Sequence, residues 1–211
     1  RDSLCVTPLG VSAHFRPCSA DQSLPTLQPL GLRHRKFLLC VGTLEPRKNL
    51  ELVFQALQHL PSSFLEHYPL VLAGARGWGE IPLSLAQLER KGHLIRTGYL
   101  EREPLHLLMG SARTLLFPSL YEGFGLPILE AMASGTPVIT SNCSSMPEVG
   151  GEAAVYIDPT QPEQLAEAIL RLHEDDTLWA TLQLAGLKRA GEFSWERTAE
   201  LTMSAYRAAL S

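Results

Sequence analysis

From Phe37 onward the chain switches repeatedly between strand-length apolar runs and stretches of helical period, with only short connections between them. Residues 37–42, Phe-Leu-Leu-Cys-Val-Gly, are apolar throughout and end in glycine, as expected of a strand buried on both faces. Leu50, Val53, Phe54, Leu57 and Leu60 then recur at helical spacing. The alternation continues with strands at 70–74, 94–97, 114–117, 137–140 and 154–157, and helices at 83–91, 104–111, 126–134, 146–149 and 162–173. Helical stretches at 178–190 and 195–209 close the sequence. This order predicts an α/β fold: a mostly parallel, Rossmann-like sheet with helices on both faces. Ligands of such sheets sit beyond the carboxyl ends of the strands, so the segments to search are 42–49, 74–79, 97–101, 118–127 and 140–147.

Residues 1–30 are rich in proline and serine, show no helical period, and read as a linker or edge segment with a short strand near 4–7. The domain then spans 31–192, and 193–211 forms a terminal helix. Hydrophobic residues make up 45% and charged residues 19%, a soluble globular balance. A net charge of −4 gives no reason to expect a nucleic-acid partner, so any basic site must be local. No apolar run is long enough to cross a bilayer, and no secretory signal opens the sequence. The 4 cysteines form no CxxC pair, and no histidine stands at zinc spacing, so neither a disulfide framework nor a metal is expected. A reducing cytoplasm fits these features. The histidines, at 14, 34, 59, 67, 93, 106 and 173, read as surface or boundary residues.

Three loops carry chemistry. In 119–135, Ser-Leu-Tyr-Glu-Gly-Phe-Gly-Leu-Pro-Ile-Leu-Glu-Ala-Met-Ala-Ser-Gly, Pro127 suits a first helical turn and Gly135 a helix stop. The helix between them is apolar on nearly every side, so Glu130 is a buried carboxylate that should have a specific partner. Side chains lean toward a helix N-terminus, which aims Glu130 at the loop of Glu122. Two acids and the amides of Gly123, Phe124, Gly125 and Leu126 then face one pocket, suited to a phosphorylated sugar or nucleotide. The plainer alternative makes Glu130 a complement to the helix dipole and Glu122 a surface acid.

In Gly42-Thr-Leu-Glu-Pro-Arg-Lys-Asn49, Arg47 and Lys48 stand at a helix start, where cations oppose the dipole and call for an anion. Arg47 replaces the glycine of a phosphate loop and Asn49 its Ser or Thr, so this is not a Walker motif. The third loop, around Gly74 to Gly79 with Arg76 and Trp78, is glycine-rich but not GxGxxG and reads as a tight turn. Ser145-Met-Pro-Glu148 has capping-box spacing, and Ser194 suits the cap of the last helix.

Together these residues resemble the group 1 (family 4) glycosyltransferases of the GT-B fold. The resemblance rests on the Glu-x7-Glu pair Glu122 and Glu130 within EGFGLPILE, on GTLEPRKN at 42–49, on Thr97-Gly-Tyr-Leu100, and on PEVGG at 147–151. It implies the C-terminal half of a GT-B fold, holding a nucleotide-diphosphate sugar and transferring a hexose with retention and no required metal or other cofactor. Arg47 and Lys48 would grip the diphosphate and act catalytically with Glu122. Glu122 and the backbone of Gly123, Phe124, Gly125 and Leu126 would hold the sugar and its phosphate. Glu130 would accept from ribose, and Tyr99 and Leu100 would lie against the base. Thr43, where the family often has arginine, resembles the mannosyltransferase-like branch, so a GDP-sugar, GDP-mannose first, is expected before a UDP-sugar. The glycan or lipid-linked acceptor would bind through an N-terminal domain that this sequence lacks, in a cytoplasmic enzyme peripheral to the inner membrane face. A non-catalytic nucleotide-sugar module is the alternative. A dinucleotide oxidoreductase is disfavoured by the missing GxGxxG.

Overall fold

A computed structural model describes residues 4–61, 63–75, 77 and 83–210, with backbone alone at 83 and 84. Its centre is a 6-stranded parallel sheet of order β3-β2-β1-β4-β5-β6, the expected Rossmann-like architecture. The strands are β1 (Leu38–Val41), β2 (Leu70–Ala73), β3 (Leu94–Gly98), β4 (Thr114–Phe117), β5 (Val138–Ser141) and β6 (Ala154–Ile157). The helices are α1 (Ala20–Leu27), α2 (Leu50–Gln58), α3 (Phe64–His67), α4 (Leu83–Arg90), α5 (Arg102–Ser111), α6 (Leu126–Ala133), α7 (Met146–Gly150), α8 (Pro162–Glu174), α9 (Asp176–Ala190) and α10 (Trp195–Leu210).

The strand sequences explain their places. β2, β4 and β5 are buried at every residue, so each carries an uninterrupted apolar or small-residue run. β3 and β6 lie at the sheet edges, where one side meets solvent, and β3 accordingly tolerates Arg96 and Thr97. Alternation along the pleat sorts side chains into two cores. Leu38, Leu70, Leu72, Leu116 and Ile139 face one layer with α2, α3 and α8, whereas Leu39, Val71, Leu115 and Val138 face the other with α5, α6 and α7.

The N-terminal segment departs from expectation. No strand forms at 4–7, where Leu4 and Val6 lie exposed. Residues 20–27 instead form α1, opened by a capping box in which Ser19 Oγ accepts from Gln22 N–H and Gln22 Oε1 accepts from Ser19 N–H. α1 packs on α5 but buries only Ser23 and Leu27 and contains Pro25, so it leaves almost no hydrophobic period to read. At the other end, Ser194 caps α10 as expected, accepting from Arg197 N–H at 3.1 Å. The segment 8–11 runs beside this helix start: Val11 N–H donates to Phe193 O, and a Cβ on Gly10 would lie 2.2 Å from the Trp195 nitrogen.

Candidate functional site: the crevice between β1 and β4

The strand order runs β3-β2-β1 in one direction and β4-β5-β6 in the other, so its reversal falls between β1 and β4. In open parallel sheets the loops that follow the two strands at such a reversal turn to opposite faces and leave a crevice at the carboxyl edge. The two loops flanking it are those of Arg47 and Lys48 and of Glu122.

After β1, Gly42 turns the chain at φ 134, Pro46–Lys48 forms a 3-10 turn, and Asn49 enters α2 in the left-handed region at φ 55. Asparagine is one of the few side-chain-bearing residues that adopts this conformation readily. Its Nδ2 donates to Pro118 O (3.2 Å) and Pro159 O (2.8 Å), binding the loops after β1, β4 and β6 together. Leu120 N–H adds a bond to Arg47 O at 2.8 Å. Gly74 completes the packing, because a Cβ there would sit 2.1 Å from Gly42 O. Close backbone approach, beyond the tight turn expected, is therefore why glycine stands at that position.

Glu122 is the hub. Its carboxylate accepts from Lys48 Nζ (2.7 Å), Arg47 Nη1 (2.6 Å) and Ser119 Oγ (2.9 Å). Lys48 also stands over the Phe117 ring at 4.5 Å. Burial alone would raise the Glu122 pKa, but the bonds from Lys48, Arg47 and Ser119 outweigh it and hold the carboxyl below its ordinary range. The Arg47 guanidinium is pushed up by the same bond to Glu122, against the pull of desolvation, and Glu45 also accepts from its Nε. The charge of the basic pair is thus met within the protein by Glu122 and Glu45, not left for a ligand alone to supply.

Two serines hold the hub in place. Ser144 Oγ donates to Glu122 O (2.8 Å) and accepts from Glu122 N–H (3.2 Å), and Ser145 Oγ donates to the same carbonyl at 2.9 Å. Ser145 therefore does not close the expected capping box: its backbone is helical and no N–H reaches its side chain. Nothing local in the sequence distinguishes the two roles.

Beyond Glu122, the N–H groups of Gly123, Phe124, Gly125 and Leu126 donate no hydrogen bond among the described residues. Gly125 caps α6 at φ 113, a conformation open to glycine, and an added Cβ would lie 3.2 Å from Ile128 Cδ1. Phe124 packs edge-on against Phe193.

Glu130, half-buried on α6, makes no hydrogen bond or ion pair among the described residues, and the cation it senses is Arg102. Burial pushes its pKa up from 4.5 to about 7, against a smaller pull from Arg102. Tyr99 and Leu100 follow β3 on the same sheet edge; Tyr99 is exposed and Leu100 packs on the core. Arg76 and Trp78 lie outside the described residues.

A Rossmann-like domain with an acid–base hub and undirected amides at its strand-order reversal is the class that fold and site define. The family model for glycosyl transferases group 1 matches residues 28–189, and the chain belongs to that family. It is 41% identical over 209 residues to the O-antigen chain mannosyltransferase B of Escherichia coli, covering 98% of this chain and 55% of that protein. The chain thus spans about half the length of this relative. Among solved structures, HepE of Anabaena in complex with UDP and glucose superposes with a TM-score of 0.80 at 21% identity, over 96% of this chain and 55% of that one. The C-terminal domain of the group 1 family glycosyl transferase LpcC from Francisella tularensis does so at 0.71 and 21% identity, over 87% of this chain and 97% of that one.

Proposed function

We propose that this chain is the donor-binding half of a retaining glycosyltransferase, taking a hexose, mannose first, from a nucleotide-diphosphate sugar. A second domain would hold the glycan or lipid-linked acceptor, and the chain alone would transfer nothing. The observation that carries this reading is the hub itself: Arg47, Lys48 and Glu122 in direct contact at the β1/β4 crevice, beside four amides with no acceptor among the described residues. A diphosphate on those amides and the α6 N-terminus would add acceptors for the remaining Lys48 and Arg47 donors. These fixed positive groups would then stabilise charge growing on the departing diphosphate, with no cofactor or metal required. Glu122, kept ionised, would orient the sugar through its hydroxyls.

Identity to an O-antigen mannosyltransferase supports mannose, and with it a GDP-linked donor. Among the described residues no helix is long and apolar enough to cross a membrane, and we propose a cytoplasmic enzyme peripheral to the inner membrane face.

Isothermal titration with GDP-mannose, UDP-glucose and NAD tests the donor. Heat with GDP-mannose, abolished in Lys48→Ala at low salt and less affected at high salt, is the expected result. Binding of NAD with none of either nucleotide sugar would refute the reading and favour a dinucleotide enzyme.

A further inference from the structure

We infer that His14, Glu103 and His106 form a binding site for a zinc-like divalent ion, separate from the donor crevice. The spacing of these residues in sequence hides the cluster, and His106 is no boundary residue: it is 2% exposed. Glu103 and His106 lie three apart on one face of α5, and the turn before α1 brings His14 against them, with the two imidazoles 5.1 Å apart. One ligand atom from each of the three side chains falls within 4.8 Å of the others.

The buried histidine is oriented as a ligand. Its Nε2 contacts Arg16 O at 2.8 Å, and since a carbonyl only accepts, Nε2 carries the proton. Nδ1 is then left with its lone pair, buried and without a hydrogen-bond partner. A ring whose outer N–H is held by a backbone carbonyl is the usual arrangement of a metal-binding imidazole. His14 Nε2 is likewise buried and unpartnered: it lies 3.0 Å from Glu103 Oε2, off the hydrogen-bonding direction. His106 Nδ1 is 4.0 Å from the same oxygen.

Bonds of about 2.0–2.1 Å to a tetrahedral ion place neighbouring ligands roughly 3.4 Å apart, between the two separations observed. Small side-chain shifts would therefore close a His2Glu set. Its fourth position would open toward solvent on the side of Glu103, which is 57% exposed. Imidazole and carboxylate together suit zinc and its neighbours better than magnesium or calcium. Such an ion would fasten the segment entering the domain to α5.

Titration of the 211-residue chain with zinc chloride, and with cobalt(II) chloride followed by visible absorption, tests this. The expected result is one ion per chain, a raised melting temperature with zinc, and the intense absorption of tetrahedral cobalt. His14→Ala, at a partly buried position, and Glu103→Gln, at an exposed one, should each weaken binding by about tenfold or more, while His67→Ala on the distant α3 leaves it unchanged. His106→Ala should abolish it, but that side chain is buried and its loss could disturb folding, so the other two variants decide. Zinc affinity unaltered by both His14→Ala and Glu103→Gln, or octahedral cobalt spectra, would overturn the assignment.

Discussion

Glu122 and Glu130 sit eight residues apart and meet the cost of burial in opposite ways. Glu122 is satisfied by three donors and stays ionised, whereas Glu130 has none among the described residues and holds its proton up to about pH 7. In the unfolded chain Glu130 ionises near 4.5, so between there and pH 7 the folded state binds more protons than the unfolded one, and stability falls as pH rises. Below 4.5 both states are protonated and the residue is neutral to stability; above 7 the full penalty applies. Glu130→Gln should therefore melt like the wild type at pH 4 and above it at pH 8, by about 1–3 kcal/mol, read from urea unfolding at both values. Ribose hydroxyls would favour the carboxylate form, so GDP-mannose should bind the wild type more tightly as pH rises from 6 to 8. Glu130→Gln should bind it more weakly with that rise removed. A flat pH profile in the wild type would separate Glu130 from the donor.

At the scale of elements, the loops matter more than the helices they join. Asn49 adopts a left-handed backbone and ties together the turns after β1, β4 and β6. Asn49→Ala loses two hydrogen bonds, at about 1 kcal/mol each, and adds about 1 kcal/mol of backbone strain. Asn49→Gly should recover the strain and not the bonds, so urea midpoints should rank wild type, then Gly, then Ala; equal midpoints would make the tie incidental. From β1 to α10 every strand and every helix but α3 was readable because each carries its own apolar period or run, whereas α3, a single turn at Phe64–His67, is too short to show one, and the donor-loop candidates followed from the carboxyl-edge rule. What stayed hidden depends on contacts distant in sequence. Ser144 and Ser145 hold Glu122 from more than twenty residues away, and Ser145 mimics a local cap. The absence of a partner for Glu130 is invisible until the surrounding surface is known. α1, with one buried leucine and an internal proline, has too little burial to imprint a pattern.

At the scale of the molecule, the segment after the first described residues is tied to the start of the last helix. Thr198 Oγ1 donates to Pro8 O at 2.6 Å, and the segment 8–11 lines the start of α10. Half-buried Thr198, Leu201 and Thr202 mark the side of α10 that meets this segment. On another stripe Met203, Tyr206 and Leu210 are 50%, 62% and 89% exposed at helical spacing, and α10 buries no residue fully. Under the donor-binding reading, a second, acceptor-binding domain would cover that stripe. Replacing Met203 and Tyr206 with serine removes no buried contact of the chain itself, so its urea midpoint should move by no more than about 0.5 kcal/mol. The chain should also bind GDP-mannose as before, because the β1/β4 crevice is untouched. Tested together with such a domain, the same double variant should lose transfer while keeping donor affinity, since only the closure of two domains would depend on the stripe. Undiminished transfer would leave the stripe an ordinary exposed surface and place the domain contact on the segment 8–11 alone.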